Sequence, residues 1–261
     1  MAAKNTLRFG LVCILSLVVS GAADFSSKAW SILQAGAADE SATKRQQAVS
    51  ALGIVTGSAR AAELAEHALQ DPQSSVRRAA VIALGAMGSS SSLPKIKAML
   101  PVSNAEMVVV IAAVLKQLND PEGYEIYYEI LTGKRSSGGG ILSGLKDRKT
   151  LEKMGIDEAI GFIPFGGIGL GAYEYFKRIG TSGVNAAAAA ALASDPEPAA
   201  REALIQACFG GKDIVRVAAL QALARRGDRS VVENIEPAMY AGTPLVSYTA
   251  AAAVAHLTDA R

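Results

Sequence analysis

The chain has 261 residues, half of them hydrophobic, with 26 basic against 24 acidic side chains and two cysteines. That balance lacks the basic excess that binding to a nucleic-acid backbone demands. A recurrence every 31 residues or so further argues against separate globular cores and for one stacked array.

The first 23 residues stand apart. Lys4 and Arg8 lead into the apolar run 9–19 (FGLVCILSLVV), which gives way to small residues ending at Ala23. This is the pattern of a secretory signal peptide cut after Ala23, with an uncleaved anchor as the alternative; the run is shorter than the ~20 apolar residues that span a bilayer. The chain is therefore expected to be secreted or periplasmic. Cleavage removes Lys4, Arg8 and Cys13 and leaves 24 charges of each sign, with Cys208 as the single thiol. No internal disulfide is then possible in an oxidising compartment, and Cys208 reads as a small buried apolar residue.

From Asp24 the sequence falls into helical pairs, each a first helix, a turn and a second helix carrying the repeated pattern. Aligning the last large apolar residue of each second helix gives Leu52, Leu84, Leu115, Leu192, Leu223 and Val254, spaced 32, 31, 77, 31 and 31 apart. The gap of 77 is two periods plus 15 residues, the length of the unique segment 134–148 (KRSSGGGILSGLKDR). Seven pairs follow, with an insertion in the fourth.

Pair one is expected over 27–36 and 40–55, and pair two over 59–69 and 72–87. In pair two Asp71 is placed to cap the second helix, Pro72 suits its first position, and Gly88 suits a left-handed C-terminal residue. Pair three covers 93–100 and 105–118, where MVVVIAAVL is apolar almost all round and reads as a doubly covered helix. Pair four opens with 120–131 (DPEGYEIYYEIL), breaks into the insertion and resumes at 149–162. Pro164 and the glycines of 166–171 then make a turn that restarts a helix near Ala172. Pair five is 172–179 with 184–193, pair six 197–209 with 214–226, and pair seven 230–240 with 245–257. No run alternates with period two over a strand length, so the protein is expected to be all-α.

The second helices share a recurrent string. Val215, Arg216, Ala218, Ala219, Ala222, Leu223 and Gly227 match V-R-x-A-A-x-x-A-L-x-x-x-G in place, with Asp213 two residues ahead, as do Val76, Arg77, Ala79, Ala80, Ala83, Leu84 and Gly88. This pattern resembles the HEAT repeat in its short bacterial form, the HEAT-like repeat of phycobilisome lyases. The stretch 159–173 (AIGFIPFGGIGLGAY) is similar to secreted bacterial HEAT-repeat proteins, a likeness that implies no activity. The resemblance implies a right-handed α-solenoid of about seven HEAT-like pairs with one glycine-rich insertion in the fourth. With the leader and the spacing read above, the chain divides into a signal peptide at 1–23, N-terminal repeats at 24–133, an insertion region at 134–171 that includes the second helix of pair four, and C-terminal repeats at 172–261. The resemblance further implies that Arg77 and Arg216 pair with turn aspartates of their own or a neighbouring unit, Asp71 and Asp213 being in place.

Catalysis needs convergent acids, bases or ligands. His67 and His256 lie in distant repeats, and Glu66–His67 is a single acid–histidine pair, so no catalytic residue, metal ligand or cofactor site is assigned. Glu122, Glu125 and Glu129 share a helical face that reads as solvated or paired with the basic insertion. Gly167, Gly169 and Gly171 imitate a phosphate loop, but no strand precedes them. Of the 13 aromatic residues after Ala23, eight lie around pair four. Aromatic residues dominate binding hot spots, so Tyr124, Tyr127, Tyr128, Phe162, Phe165 and Tyr173 are the expected partner-binding residues, unless the insertion packs back and they fill a local core. The expectation is a non-catalytic scaffold for a protein or peptide. The alternatives are a lyase-like enzyme or chromophore-handling protein, and a peripheral membrane scaffold touching the bilayer near Phe162, Ile163, Phe165, Ile168 and Leu170.

Overall fold

The computed structural model describes residues 24–132 and 181–259, and these contain helices and turns with no strand. The insertion, the second helix of pair four, the glycine turn and the first helix of pair five lie outside the described residues. Pair one is α1 (24–37) and α2 (Ala42–Leu52), pair two α3 (Ala59–Ala68) and α4 (Ser74–Ala86), and pair three α5 (Leu93–Lys97) and α6 (Ala105–Gln117). Then come α7 (Pro121–Thr132), α8 (Thr181–Ala191), α9 (Pro198–Ala207), α10 (Asp213–Arg226), α11 (Val232–Ile235) and α12 (Pro244–Asp259).

The second helices form because their apolar residues recur at three-and-four spacing. In α4, Val76, Ala79, Ala80, Ala83 and Leu84 are all buried. The helix stops where expected: Gly88 adopts φ +71°, and Ser89 N reaches back to Leu84 O at 3.0 Å, satisfying a terminal carbonyl. Asn119, at φ +60°, does the same for α6, with Asp120 N bonding Leu115 O at 2.8 Å. The start of α4 differs from the sequence expectation. The helix begins at Ser74, and the Asp71 carboxylate instead accepts from Gln73 N at 2.8 Å in a turn.

Two first helices are shorter than their sequences suggested, and proline is the cause in both. After α5 the chain continues as a 3₁₀ turn, Leu100–Val102, holding Pro101. Around α11 lie the 3₁₀ segments Arg229–Val231 and Glu236–Met239. Pro237 has no N–H with which to continue an α-helical ladder.

The packing order of the second helices is not their order in the chain. α2 packs on α4 and α4 on α6, while α8 packs on α10 and α10 on α12; α12 then packs on α2. The described stack therefore runs α8, α10, α12, α2, α4, α6, so that the start of the array is its middle. This explains α12, whose residues from Tyr248 to Ala255 are all buried. A helix covered on both flanks needs small apolar residues all round, whereas a terminal one would need a polar outer face. Gly36 marks the closeness: a Cβ there would stand 2.7 Å from Tyr248 Cζ and 2.8 Å from Ala48 Cβ.

Candidate binding surfaces

The aromatic residues singled out by sequence divide sharply on α7. Ile126 points into the core at 1% exposure, and Gly123 lets the helix lie against α6, since a Cβ there would meet Ala112 O at 2.8 Å. Turning with the helix, Tyr127 is half-buried against the core, and burial pushes its phenol above the ordinary value. Tyr124 and Tyr128, four residues apart, face outward at 57% and 59% exposure. The Lys116 ammonium lies 5.6 Å from the Tyr124 ring centroid, a cation–π distance that holds the ring. Phe162, Phe165 and Tyr173 lie outside the described residues. The α7 face thus offers two aromatic anchors on a rigid element, bordered by Glu125 and Glu129 around a shallow depression of about 400 Å³.

The acidic face read along α7 is not one unit. Glu122 turns back to Lys97 at 3.3 Å, beside the 2.7 Å pair of Lys97 with Asp120, and Lys97 holds Asp120 below the usual carboxylate range. Among the described residues no three His, Cys, Asp or Glu side chains are grouped to hold a metal ion. His67 is exposed. Glu66 beside it is occupied by Lys95 and by Ser92 Oγ at 2.6 Å, and these hold its pKa below the ordinary value. His256 is half-buried on α12, and burial lowers its pKa.

The arginines of the repeat string make contacts within the repeat turns, as the sequence implied, with one change of partner. The Asp71 carboxylate is held by Arg45 of the preceding pair, Nε to Oδ2 at 2.7 Å and Nη2 to Oδ1 at 3.0 Å, which lowers its pKa. Arg77 instead donates through Nη1 to the carbonyls of Asp71 and Pro72. Arg216 donates to Cys208 O at 3.0 Å and lies 3.7 Å from Asp213.

Two further concavities were not foreseen. One, about 640 Å³, lies at the α1–α12 junction, where Asp259 accepts from Ser26 and Trp30, and the Arg60 guanidinium stacks 4.5 Å over the Trp30 ring. The other, about 660 Å³, lies between the turns of pairs two and three. Its floor includes Leu69, Met99 and Met107, and its rim includes Arg77, Lys95 and Val102, the last 87% exposed. The signal for it in the sequence is an omission: the turn at Ser103 lacks the aspartate that its counterpart at Asp71 carries.

A helix–turn–helix unit recurring every 31 or 32 residues, with an arginine at the same place in the second helix of pairs two and six, is matched in part by comparison with known families. Residues 31–123 fit the model of HEAT repeats. Those residues are HEAT repeats. The same helix ending recurs in the C-terminal pairs, where α10 ends at Gly227 with φ +69° just as α4 ends at Gly88. Among solved structures, the complex of CpcE and CpcF of phycocyanin lyase from Nostoc sp. PCC7120 is similar at 22% identity, with a TM-score of 0.35, over 78% of this chain and 79% of that one. No curated protein matches this chain. Among the described residues no helix is long and apolar enough to cross a membrane.

Proposed function

We propose that the chain is an exported, non-catalytic scaffold that binds a protein or peptide partner through the outer face of α7. The observation that carries this reading is the pair Tyr124 and Tyr128, both more than half exposed on a helix whose other face is locked into the repeat stack. Large rings held rigidly lose little conformational entropy on binding, and tyrosine is enriched among residues that dominate interfaces. Export is supported by the charge and hydropathy pattern of residues 1–23. The absence of a catalytic role is supported by how the polar groups are used: Glu66, Asp71, Asp120 and Glu122 each serve contacts between neighbouring helices or turns.

The test is crosslinking and affinity capture from the periplasmic fraction, comparing the parent with Tyr124→Ala/Tyr128→Ala after circular dichroism shows that both fold. Each tyrosine should contribute on the order of 2 kcal/mol to a partner that uses it as an anchor, so the double variant should lose that partner. Identical partners from both proteins would remove the α7 face from consideration. N-terminal sequencing of the exported chain should begin at Asp24; a start at Met1 would overturn cleavage.

A further inference from the structure

Arg45 shows what the repeat arginine does when its site is complete. Nη1 donates to the carbonyls of its own turn, Asp39 O and Glu40 O, both at 2.9 Å. Nε and Nη2 then hold both oxygens of the Asp71 carboxylate in the next turn. Arg77 is the same residue 32 positions later, and its Nη1 makes the same two bonds, to Asp71 O at 2.8 Å and Pro72 O at 2.9 Å. Asp71 lies 26 residues after Arg45; the residue 26 after Arg77 is Ser103. Ser103 Oγ donates to Met99 O, and the Asn104 side-chain oxygen accepts from Met107 N. Neither reaches the guanidinium, and Arg77 Nε and Nη2 have no hydrogen-bond partner among the described residues. Arg216, the third member, does find an acceptor in its next turn, Ala241 O.

The groove of about 660 Å³ described above opens at the place of the missing carboxylate. We propose that it takes an aspartate or glutamate side chain of a partner polypeptide, with an apolar residue beside it, Arg77 gripping the carboxylate as Arg45 grips Asp71. A planar guanidinium with two parallel N–H groups free matches a carboxylate in bidentate fashion. The rim carries one uncompensated positive charge, because Lys95 is already paired with Glu66; a phosphate dianion would call for a second free cation. The floor of Leu69, Met99 and Met107 is what a neighbouring apolar side chain needs, and methionines adapt their shape to what they receive. The volume exceeds that of a small free carboxylate and suits a peptide segment. This site rests on the reading of the chain as a protein-binding scaffold, but on a different surface from α7. A negative result with the tyrosine variants therefore leaves it standing, and its own failure leaves α7 untouched.

The test uses Ser103→Asp, which supplies the missing carboxylate from within the chain. It should raise the melting temperature, and the same substitution in an Arg77→Gln background should give no gain. The binding probe is fluorescein-labelled acetyl-Leu-Gln-Asp-Pro-Gln-Ser-amide, the sequence of the turn that Arg45 holds. The parent chain should bind it about tenfold more tightly than the peptide with Asn for Asp, a tenfold ratio being about 1.4 kcal/mol. Arg77→Gln and Ser103→Asp should each erase that preference. The proposal is overturned by absent or equal binding of the two peptides, by unchanged binding to Ser103→Asp, or by a stability gain independent of Arg77. Displacement of the peptide by acetate or inorganic phosphate at equal concentration would show a general anion site and overturn the assignment to a polypeptide.

Discussion

Trp30 in the first helix and Asp259 in the last are joined by a 2.7 Å hydrogen bond from the indole Nε1 to Oδ2, across 229 residues of chain. The same carboxylate accepts from Ser26 Oγ at 2.7 Å, and Trp30 is 1% exposed. Asp259→Ala strips the acceptor from a buried donor and should cost about 1 kcal/mol in urea unfolding. Trp30→Ala should cost about 3–5 kcal/mol, because the ring fills the junction. A double variant no worse than Trp30→Ala would show that the carboxylate acts through the indole.

Gly36→Ala places a methyl against the Tyr248 ring and Ala48. Overpacking of this kind costs about 1–3 kcal/mol, and here it should loosen the seam between α2 and α12. Tyr248→Leu in the same chain should recover part of the loss. An unchanged urea midpoint for Gly36→Ala would mean that α12 does not sit where the structure has it.

The Arg45 guanidinium holds Asp71 below the usual carboxylate range, with a smaller lowering from the Gln73 N–H. A depressed acid pKa stabilises the fold fully above the unfolded value near pH 4. That contribution is lost as the pH falls through the lower native value. Asp71→Asn should therefore lower the melting temperature at pH 6 and flatten its fall between pH 4 and pH 2. A variant whose acid limb parallels the parent's would remove Asp71 from the acid response.

Burial pushes the Cys208 thiol up to about 12, against a smaller opposing pull from Arg216, and Sγ donates to Leu204 O at 3.2 Å. In a Cys13→Ser background, native alkylation by iodoacetamide at pH 8 should be at least about a hundredfold slower than in the unfolded chain, since only the thiolate reacts. Comparable rates would place the thiol at the surface.

The helical register was legible because burial imposes it residue by residue. Of the six residues aligned from spacing alone, Leu52, Leu84, Leu115, Leu223 and Val254 are fully buried and Leu192 is partly buried against the core. The stacking order was not legible, because self-similar units present similar apolar faces, and periodicity says that a face is covered without saying by which neighbour. The partner of Asp71 was misplaced for a related reason: Arg77 is nearer in sequence, but its Nη1 is taken up by turn carbonyls, while Arg45 meets the carboxylate across the stack. Of the expected aromatic site, helical spacing was enough to put Tyr124 and Tyr128 on one face of α7; that Tyr127 turns toward the core depends on how α7 lies against α6.

The junction of α12 with α2 also sets a clock. A linear array can consolidate as it is made, each unit closing on the one before. Here the flank of α2 stays open until roughly 200 further residues exist, which at 5–20 residues per second is about 10–40 s of synthesis. For that interval Val49 and Leu52, both fully buried in the finished protein, lack part of their covering, and pair one is completed only when α12 arrives.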